Sequence, residues 1–550
     1  MESKTPRAGP EGTNSPAEPT PSPSAGPYLT GLAGFLVLLA VFLAILMGGM
    51  DALVVSTVLP SIAGDLHQVN GVTFVASAYL ISSTVSIPIF SRLSDLTSRR
   101  NTFVAGLVVF IVGSALAGIS QNLTELIVFR GIQGFGGGGV FPVAIALVGV
   151  LYSPETRTRA TGILSGAAGL SIVLGPLLGS YIVSVTTWRW VFYINLPFGI
   201  AALIIVLLAI GPLRATTVGR FDVFGAAVLT GWVGALMVAL VQVSDAGWAW
   251  SDPRIVGLLA AAVVLLGVFL GWELRVDQPL VPLRLLGHRV IGAVSGIMLF
   301  TGIVFSSAIT FLSIFVGIVL LHQGPSATSS VRDIIYFFAI PMIIGATLAG
   351  QLLTRLPYRT VVAPGLLGAA TVGLLLGNLT AATPLWTLAF GIVPVGGIAL
   401  PLIPMGFGLG LSLSGGQIAI LNEAPPAQVG AAVGISRFLQ SLGAALGISL
   451  LTVFQLWRFR ALSANASTPA AVTSALVQSY NDVFLALAVC VFAAFAFSML
   501  LVGRAPIRAT HPPTPDSPTE RTSGGPTGAD RLPLPGFPPG ESVNESMLPK

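Results

Sequence analysis

One carboxylate, Asp51, lies in the middle of the long apolar stretch between residues 33 and 60. A charged side chain in the hydrocarbon core of a membrane costs about 2.5–3.5 kcal/mol on insertion scales, so it usually faces a cavity or a partner. A carboxylate in this setting is a candidate for taking up and releasing a proton. The alternative is a structural Asp that is hydrogen-bonded to neighbouring hydroxyls or paired with an Arg.

Two arginines lie in equally apolar stretches. Arg130 begins the sequence Arg-Gly-Ile-Gln133-Gly, which Phe and the four glycines 136–139 follow. A guanidinium does not lose its proton in proteins, so Arg130 supplies a fixed positive charge, unless it only anchors its helix to backbone carbonyls. Arg437, three residues before Gln440, either lines a cavity in the C-terminal half or extends to the membrane surface.

The composition indicates which elements must position these residues. Of the 550 residues, 54% are hydrophobic and only 9% are charged, far below the quarter or so that a soluble domain carries. Most of the chain must therefore face lipid. The net charge of +5 is spread over short loops without a dense basic cluster, so we expect no nucleic-acid partner. The single cysteine excludes an internal disulfide and a thiolate metal cluster.

Apolar segments of about 20 residues, the length that crosses a bilayer, occur fourteen times. They lie near 33–60, 70–91, 102–120, 124–151, 160–184, 188–212, 221–243, 254–274, 289–320, 329–354, 360–379, 386–421, 428–455 and 480–503. Arginine is concentrated in alternate loops, and Arg458 and Arg460 fall in a loop on the poorer side. This asymmetry predicts an even number of spans with both termini in the cytoplasm.

The division into domains follows from the spans. We predict a disordered tail over 1–30, a six-helix bundle over 31–213 and two additional helices over 214–288. A second six-helix bundle over 289–504 and a disordered tail over 505–550 complete the chain. The tails are rich in Pro, Ser, Thr and Gly and cannot bury enough apolar surface to offset the entropy of ordering.

Two further stretches carry recognisable motifs. Ser91-Arg-Leu-Ser-Asp95-Leu-Thr-Ser-Arg99-Arg100 follows the second span. The fifth span contains Gly169-Leu-Ser-Ile-Val-Leu-Gly175-Pro176-Leu-Leu-Gly179, in which Pro176 removes a backbone hydrogen bond and bends the helix. The glycines of this stretch allow neighbouring helices to approach closely.

Taken in their order along residues 33–503, these motifs resemble the major facilitator superfamily, and within it the fourteen-helix drug:proton antiporters. The resemblance implies an all-α membrane protein with two six-helix bundles and two extra helices. It implies proton coupling at Asp51 and Arg130, a cytoplasmic gate at Asp95, Arg99 and Arg100, and a helix kink at Gly175, Pro176 and Gly179. We add Gln133, Arg437 and Gln440 as candidates for the cavity wall.

The gate stretch departs from the family pattern at three positions. Ser91 and Ser98 stand where glycine is usual, and Leu96 stands where Arg is common. In the family the gate Asp binds the N-terminus of a helix in the other half while the outside is open, a use of the helix dipole. The departures leave the tightness of the gate open.

The resulting expectation is a proton-coupled multidrug exporter that works by alternating access, in which the lipid bilayer, protons and an amphipathic or lipid substrate are the partners. A lipid or glycolipid exporter on the same fold and a non-transporting sensor or scaffold remain as alternatives. No cofactor, metal site or enzymatic activity is expected, because no ligand spacing, nucleophile elbow or nucleotide loop occurs. We expect a monomer in the plasma membrane. We expect the source to be a bacterium, since Lys occurs only twice against abundant Arg, Ala and Gly.

Overall fold

The chain folds into long helices because a bilayer offers no hydrogen-bond partners to an open backbone. The computed structural model describes residues 29–67, 71–72, 74–211, 213, 219–244, 248–315, 325–377, 399–464, 466 and 468–501. Polar side chains cap several helices at the points where they begin. Asn122 Oδ1 accepts a hydrogen bond from the Glu125 amide at 2.9 Å, and Thr468 Oγ1 accepts one from the Ala471 amide at 3.2 Å.

Fifteen α-helices follow one another in the described residues. They are α1 Gly31–Asp65, α2 Phe74–Leu96, α3 Arg99–Ile119, α4 Leu123–Leu151, α5 Pro154–Val185, α6 Trp190–Tyr193, α7 Asn195–Ala209, α8 Val223–Ser244, α9 Pro253–Glu273, α10 Arg289–Ile314, α11 Pro325–Leu352, α12 Tyr358–Leu376, α13 Ala399–Glu423, α14 Val429–Ser463 and α15 Pro469–Met499. A short 3₁₀ helix, Leu283–Gly287, connects α9 to α10.

Thirteen helices of the described chain are long and apolar enough to cross a membrane, and α6 and α7 together form one of them. The described part of α11 adds a shorter apolar helix, Tyr336–Leu352. The structure therefore agrees with a polytopic helical protein, while the number of fourteen spans stays a prediction. Residues 386–398 of the predicted twelfth span and both predicted tails, apart from residues 29 and 30, lie outside the described residues.

Six membrane helices, formed by α1 to α7, precede the pair α8 and α9, and α10 to α15 follow it. The glycines of α4 set how closely the first group packs. A side chain at Gly136 would overlap the backbone of Phe110 on α3, and one at Gly138 would overlap the backbone of Ser83 on α2. The glycine run thus holds α4 tightly between α2 and α3, as its composition indicates.

The pair α8 and α9 packs where the two groups meet. Helix α8 contacts both α2 and α14. Its Trp232 stacks on Phe269 of α9 and meets Phe438 of α14 edge-on, each with ring centroids 6.0 Å apart. Helix α8 therefore rests on both groups, and α9 packs against α8.

The connection between the last two helices is shorter than the sequence predicts. Arg458 and Arg460 lie on α14, which continues to Ser463, and only residues 464–468 separate it from α15. Polar side chains that face each other between the two helices explain the difference. Gln455 Nε2 donates to Ser479 Oγ at 2.9 Å, and Arg458 Nε donates to Asp482 at 2.6 Å. Hydropathy alone assigns such residues to a loop.

Candidate functional site

Asp51 is fully buried in the first group of helices, and its carboxylate accepts hydrogen bonds from three side chains. Its Oδ2 atom pairs with Arg130 of α4 at 2.5 Å. Its Oδ1 atom accepts hydrogen bonds from Gln133 Nε2 at 2.9 Å and from Asn195 Nδ2 at 2.7 Å. Asp51, Arg130, Gln133 and Asn195 are all completely buried. The structure thus brings the two predicted charges into contact and adds two amides to them.

Ser114 of α3 joins the same group of residues, called here the Asp51 cluster and made up of Asp51, Ser114, Arg130, Gln133 and Asn195. Its hydroxyl accepts from the Gln133 and Asn195 amides at 3.0 and 3.1 Å. It donates to the backbone carbonyl of Phe192 at 2.8 Å. Four helices, α1, α3, α4 and α7, therefore supply one hydrogen-bonded network around a single carboxylate.

A cavity of about 320 Å³ lies beside this cluster, between the two groups of helices. Its wall is mostly apolar and includes Phe141, Phe305 and Met342. Arg437 and Gln440, two of the three residues predicted for the cavity wall, line this cavity. Gln133 does not line the cavity: its side chain points into the first helix group, where Asp51 and Ser114 bind it.

Tyr79 of α2 separates the Asp51 cluster from the cavity. Its ring lies 4.2 Å from the guanidinium carbon of Arg130, in a cation–π contact. Its hydroxyl donates to the Gly48 carbonyl of α1 at 3.2 Å, and both Tyr79 and Gly48 line the cavity. A molecule in the cavity therefore contacts Tyr79 and α1, but not the Asp51 carboxylate itself.

The end of the helix bundle at which residues 97–98 connect α2 to α3 is called here the gate end. At this end Asp95 joins the two groups of helices. The two carboxylate oxygens accept from the Gly430 amide at 3.1 Å and from the Ala431 amide at 2.8 Å. Both amides belong to the first turn of α14, where free N–H groups and the helix dipole favour an anion. Asp95 on α2 therefore binds the second group of helices across the molecule.

The two neighbouring arginines behave differently. Arg99 donates to Asp95 at 3.4 Å and to the Pro426 carbonyl, before α14, at 3.1 Å. Arg100 instead donates to the Leu207 carbonyl of α7 at 3.1 Å and stays within the first group. The structure thus places Asp95 and Arg99 at the contact between the groups, and Arg100 away from it.

The serine that replaces glycine at the start of the gate stretch finds room in the opposite helix. Ser91 lies against Gly434 of α14, and a side chain at Gly434 would overlap the serine hydroxyl. A second bridge at the same end joins Arg157 of α5 to Asn422 of α13, with a nitrogen–oxygen distance of 2.7 Å. The gate end is therefore closely packed despite its departures from the family pattern.

The glycines of α5 face two different neighbours. A side chain at Gly162 would overlap the Gly350 backbone of α11, in the other helix group. Further along, Gly175 and Gly179 lie against Leu53 and Thr57 of α1, just after Asp51. Pro176 lies inside the helix between them. The Gly-Pro stretch therefore packs α5 on the helix that carries the buried carboxylate.

The sequence patterns predict no role for Asn195, Ser114 or Tyr79. Asn195 was visible as an amide at the start of an apolar span, where a polar side chain needs a partner. Ser114 and Tyr79 carry no such signal, because small hydroxyl residues and single aromatic residues are frequent in membrane helices. Only the packing of α3 and α2 against α4 shows what they bind.

Many apolar helices, a buried ion pair and a cavity between two helix groups define a polytopic membrane carrier. Residues 37–448 match the model of the Major Facilitator Superfamily. The chain is 33% identical over 76% of its length to the multidrug transporter protein MdtP of Bacillus subtilis, covering 74% of that protein. It is 31% identical over 76% of its length to multidrug resistance protein 3 of the same organism, covering 79%.

Among solved structures, the human organic anion transporter MFSD10 (TETRAN) is similar with a TM-score of 0.53 and 17% identity. That similarity covers 84% of this chain and all of the other, and at this identity it shows the fold alone. The chain belongs to the major facilitator superfamily. Its all-α membrane fold, predicted from the motifs, is thereby confirmed.

Proposed function

We propose that this protein is a proton-coupled exporter of amphipathic compounds that works by alternating access. The observation that carries the proposal is the fully buried Asp51, paired with Arg130 inside the first helix group. One relative is named a multidrug transporter and the other a multidrug resistance protein, and resistance supports export as the direction of transport. Their names say nothing of protons, so the coupling rests on the Asp51 cluster.

The chemistry of the cluster suits reversible proton binding. When Asp51 is ionised, it holds Arg130, Gln133 and Asn195 together. When it takes up a proton, the attraction to the guanidinium falls, and Arg130 is free to strengthen its contact with Tyr79 on the cavity wall. Proton binding and cavity shape are therefore linked through Arg130, which pairs with Asp51, and Tyr79, which contacts Arg130 and lines the cavity.

The closed gate end supplies the other half of the mechanism. Asp95, Arg99 and Arg157 join the two groups of helices at this end, so a molecule in the cavity cannot leave there. We place the gate end in the cytoplasm, in line with the arginine-rich loops. Breaking these contacts opens the cavity to the cytoplasm for the next substrate molecule.

The test is proton movement in liposomes that contain the purified protein and a pH-sensitive dye. A panel of cationic, neutral and anionic amphipathic compounds is added outside, and the change in internal pH is recorded. We expect at least one compound to drive proton movement in the wild type and none to do so in Asp51→Asn. The matched control is Asp65→Asn, on the same helix but beyond its apolar span, which should behave as wild type.

Three results would overturn this proposal. Equal proton movement in Asp51→Asn would remove the carboxylate from the coupling step. Folded wild-type protein that moves no proton with any compound, but moves fluorescent lipids between vesicle leaflets, would favour a lipid exporter. A protein that moves neither, and loses its cellular effect when residues 505–550 are removed, would be a sensor or scaffold.

A further inference from the structure

The charge of the cavity wall is the feature that the proposed function leaves unused. Arg437 is its one charged side chain in the described part of the chain, since neither Asp nor Glu lines it there. The buried Asp51 is already neutralised by Arg130 and lies behind Tyr79. The cavity therefore carries a net positive charge on a mostly apolar wall.

Among the residues that the structure describes, no carboxylate forms an ion pair with Arg437. None of the ion pairs in the described residues includes Arg437, in contrast to Arg99, Arg130, Arg189 and Arg458. Its NH1 group donates to Gln440 Oε1 at 2.5 Å, and its guanidinium carbon lies 4.3 Å from the centroid of the Phe141 ring. A neutral amide and an aromatic face orient this cation, but they leave its charge uncompensated.

Polar atoms without partners lie on the same wall. Ser165 Oγ of α5 and Gln417 Oε1 of α13 are buried and have no hydrogen-bond partner within the described residues. Buried polar atoms normally have hydrogen-bond partners, so these two atoms indicate a position that a bound molecule or water fills. They lie on helices of the two opposite groups, on either side of the cavity.

We propose that the cavity binds amphipathic anions. The guanidinium of Arg437 holds the carboxylate, sulfonate or phenolate group, because its remaining N–H groups form charge-assisted hydrogen bonds to such oxygens. The apolar wall, with Phe141, Phe305, Met342 and Leu413, contacts the hydrophobic body of the molecule. A cationic amphiphile would instead meet a second positive charge in a site of low dielectric constant.

The inference names the substrate class of the proposed exporter and rests on that function only for its consequence in transport. When an anion leaves as a proton enters, both movements shift charge in the same direction across the membrane. The membrane potential therefore drives this exchange in addition to the pH gradient. Export of a cation in exchange for a proton lacks this contribution.

The experiment is equilibrium binding to the protein in lipid nanodiscs, with empty nanodiscs as the background. The probes share one ring system: neutral N-phenyl-1-naphthylamine, its anionic 8-sulfonate, and a naphthalene that carries a trimethylammonium group. We expect wild-type protein to bind the sulfonate most tightly. In Arg437→Gln the sulfonate should bind about tenfold more weakly or worse, while the neutral probe keeps its affinity.

Two further variants separate charge from structure. Arg437→Lys keeps the charge and should retain most of the sulfonate binding, whereas Arg460→Gln removes an exposed arginine from the same helix and should change nothing. Tighter binding of the cationic probe to wild-type protein, a comparison that needs no variant, would overturn the proposal. Equal sulfonate affinity in wild type and Arg437→Gln would also overturn it. Binding does not depend on proton flux, so failure of the coupling test leaves this result readable.

Discussion

At the scale of single residues, Asp51 shows how a membrane helix tolerates an ionised carboxylate. Asp51 is stabilised by one guanidinium and two amide donors, which are themselves oriented by the Ser114 hydroxyl. Such a network stabilises the ionised form of Asp51 only while every partner is in place. The network therefore depends on the charge of Asp51, and the proposed coupling uses this dependence.

Removal of the cation should reveal this dependence. Arg130→Met leaves Asp51 as an unpaired buried charge, so we expect a loss of about 3–5 kcal/mol in the free energy of unfolding. Adding Asp51→Asn should recover much of it. Thermal unfolding in detergent measures all of these changes. Arg458→Met, which breaks a partly exposed pair, is the control and should cost about 1 kcal/mol or less. Additive effects of Arg130→Met and Asp51→Asn would contradict the coupling.

The ion pair between Arg189 and Asp65, the last residue of α1, should stabilise the protein in a pH-dependent way. The hydrogen bond from Arg189, together with one from Trp188, lowers the pKa of Asp65 below its ordinary value of 3.8. The stabilisation is therefore present above that value and is lost as the pH falls through the lowered pKa. We expect Asp65→Asn to cost less than about 1 kcal/mol at pH 7 and nothing once the pH is below the lowered pKa, measured by thermal unfolding. A larger loss at acidic pH would contradict this.

The sequence predicted the charged residues of the site better than their neutral partners. Asp51, Arg130 and Arg437 were visible because a charge in an apolar stretch is costly and needs a reason. Gln133 was assigned to the cavity, whereas it binds Asp51, since spacing along α4 does not tell which neighbour a side chain faces. Asn195 and Ser114 come from helices that are distant in the sequence, and only tertiary packing brings them to Asp51.

At the scale of helices, small residues decide where the two groups of helices can touch. Gly430 on α14 lies against Asp95 and Ser94 of α2, and Gly162 on α5 lies against Gly350 of α11. These crossings hold at the gate end because no side chain intervenes. A helix pair that is held by backbone contact and a few hydrogen bonds can also separate without unfolding.

A methyl group at Gly430 should therefore open the gate end. It would lie 2.7 Å from Asp95 Oδ1 and 2.5 Å from Ser94 Oγ, so Gly430→Ala displaces α14 from α2. We expect a longer distance between spin labels placed at Arg159→Cys on α5 and Arg355→Cys near α12, in a Cys490→Ala background. Pulsed electron paramagnetic resonance measures this distance.

The matched control is Gly368→Ala on α12, where a methyl group meets nothing within 4 Å. It should leave the distance unchanged. An unchanged distance in Gly430→Ala would show that the contact between Asp95 and α14 does not hold the gate end closed. Size-exclusion chromatography before labelling shows whether both variants are folded and free of aggregates.

At the scale of the whole molecule, the same helices carry the Asp51 cluster, part of the cavity wall and the contacts of the gate end. Helix α1 carries Asp51 on one side and lines the cavity with Gly48 and Gly49 on the other. Helix α2 carries Tyr79 beside the cavity and Asp95 at the gate end. A shift of either helix therefore changes two of the three sites at once, which is the physical basis for coupling.

Coupling of protons to transport at Asp51 is tested by separating exchange from uphill transport in proteoliposomes. A transported anionic amphiphile, radiolabelled, is followed with and without an imposed pH gradient, in wild type and in Asp51→Asn. We predict that Asp51→Asn still exchanges labelled for unlabelled substrate across the membrane but loses all accumulation driven by the pH gradient. Accumulation at the wild-type rate in Asp51→Asn would contradict the claim that this buried carboxylate couples protons to transport.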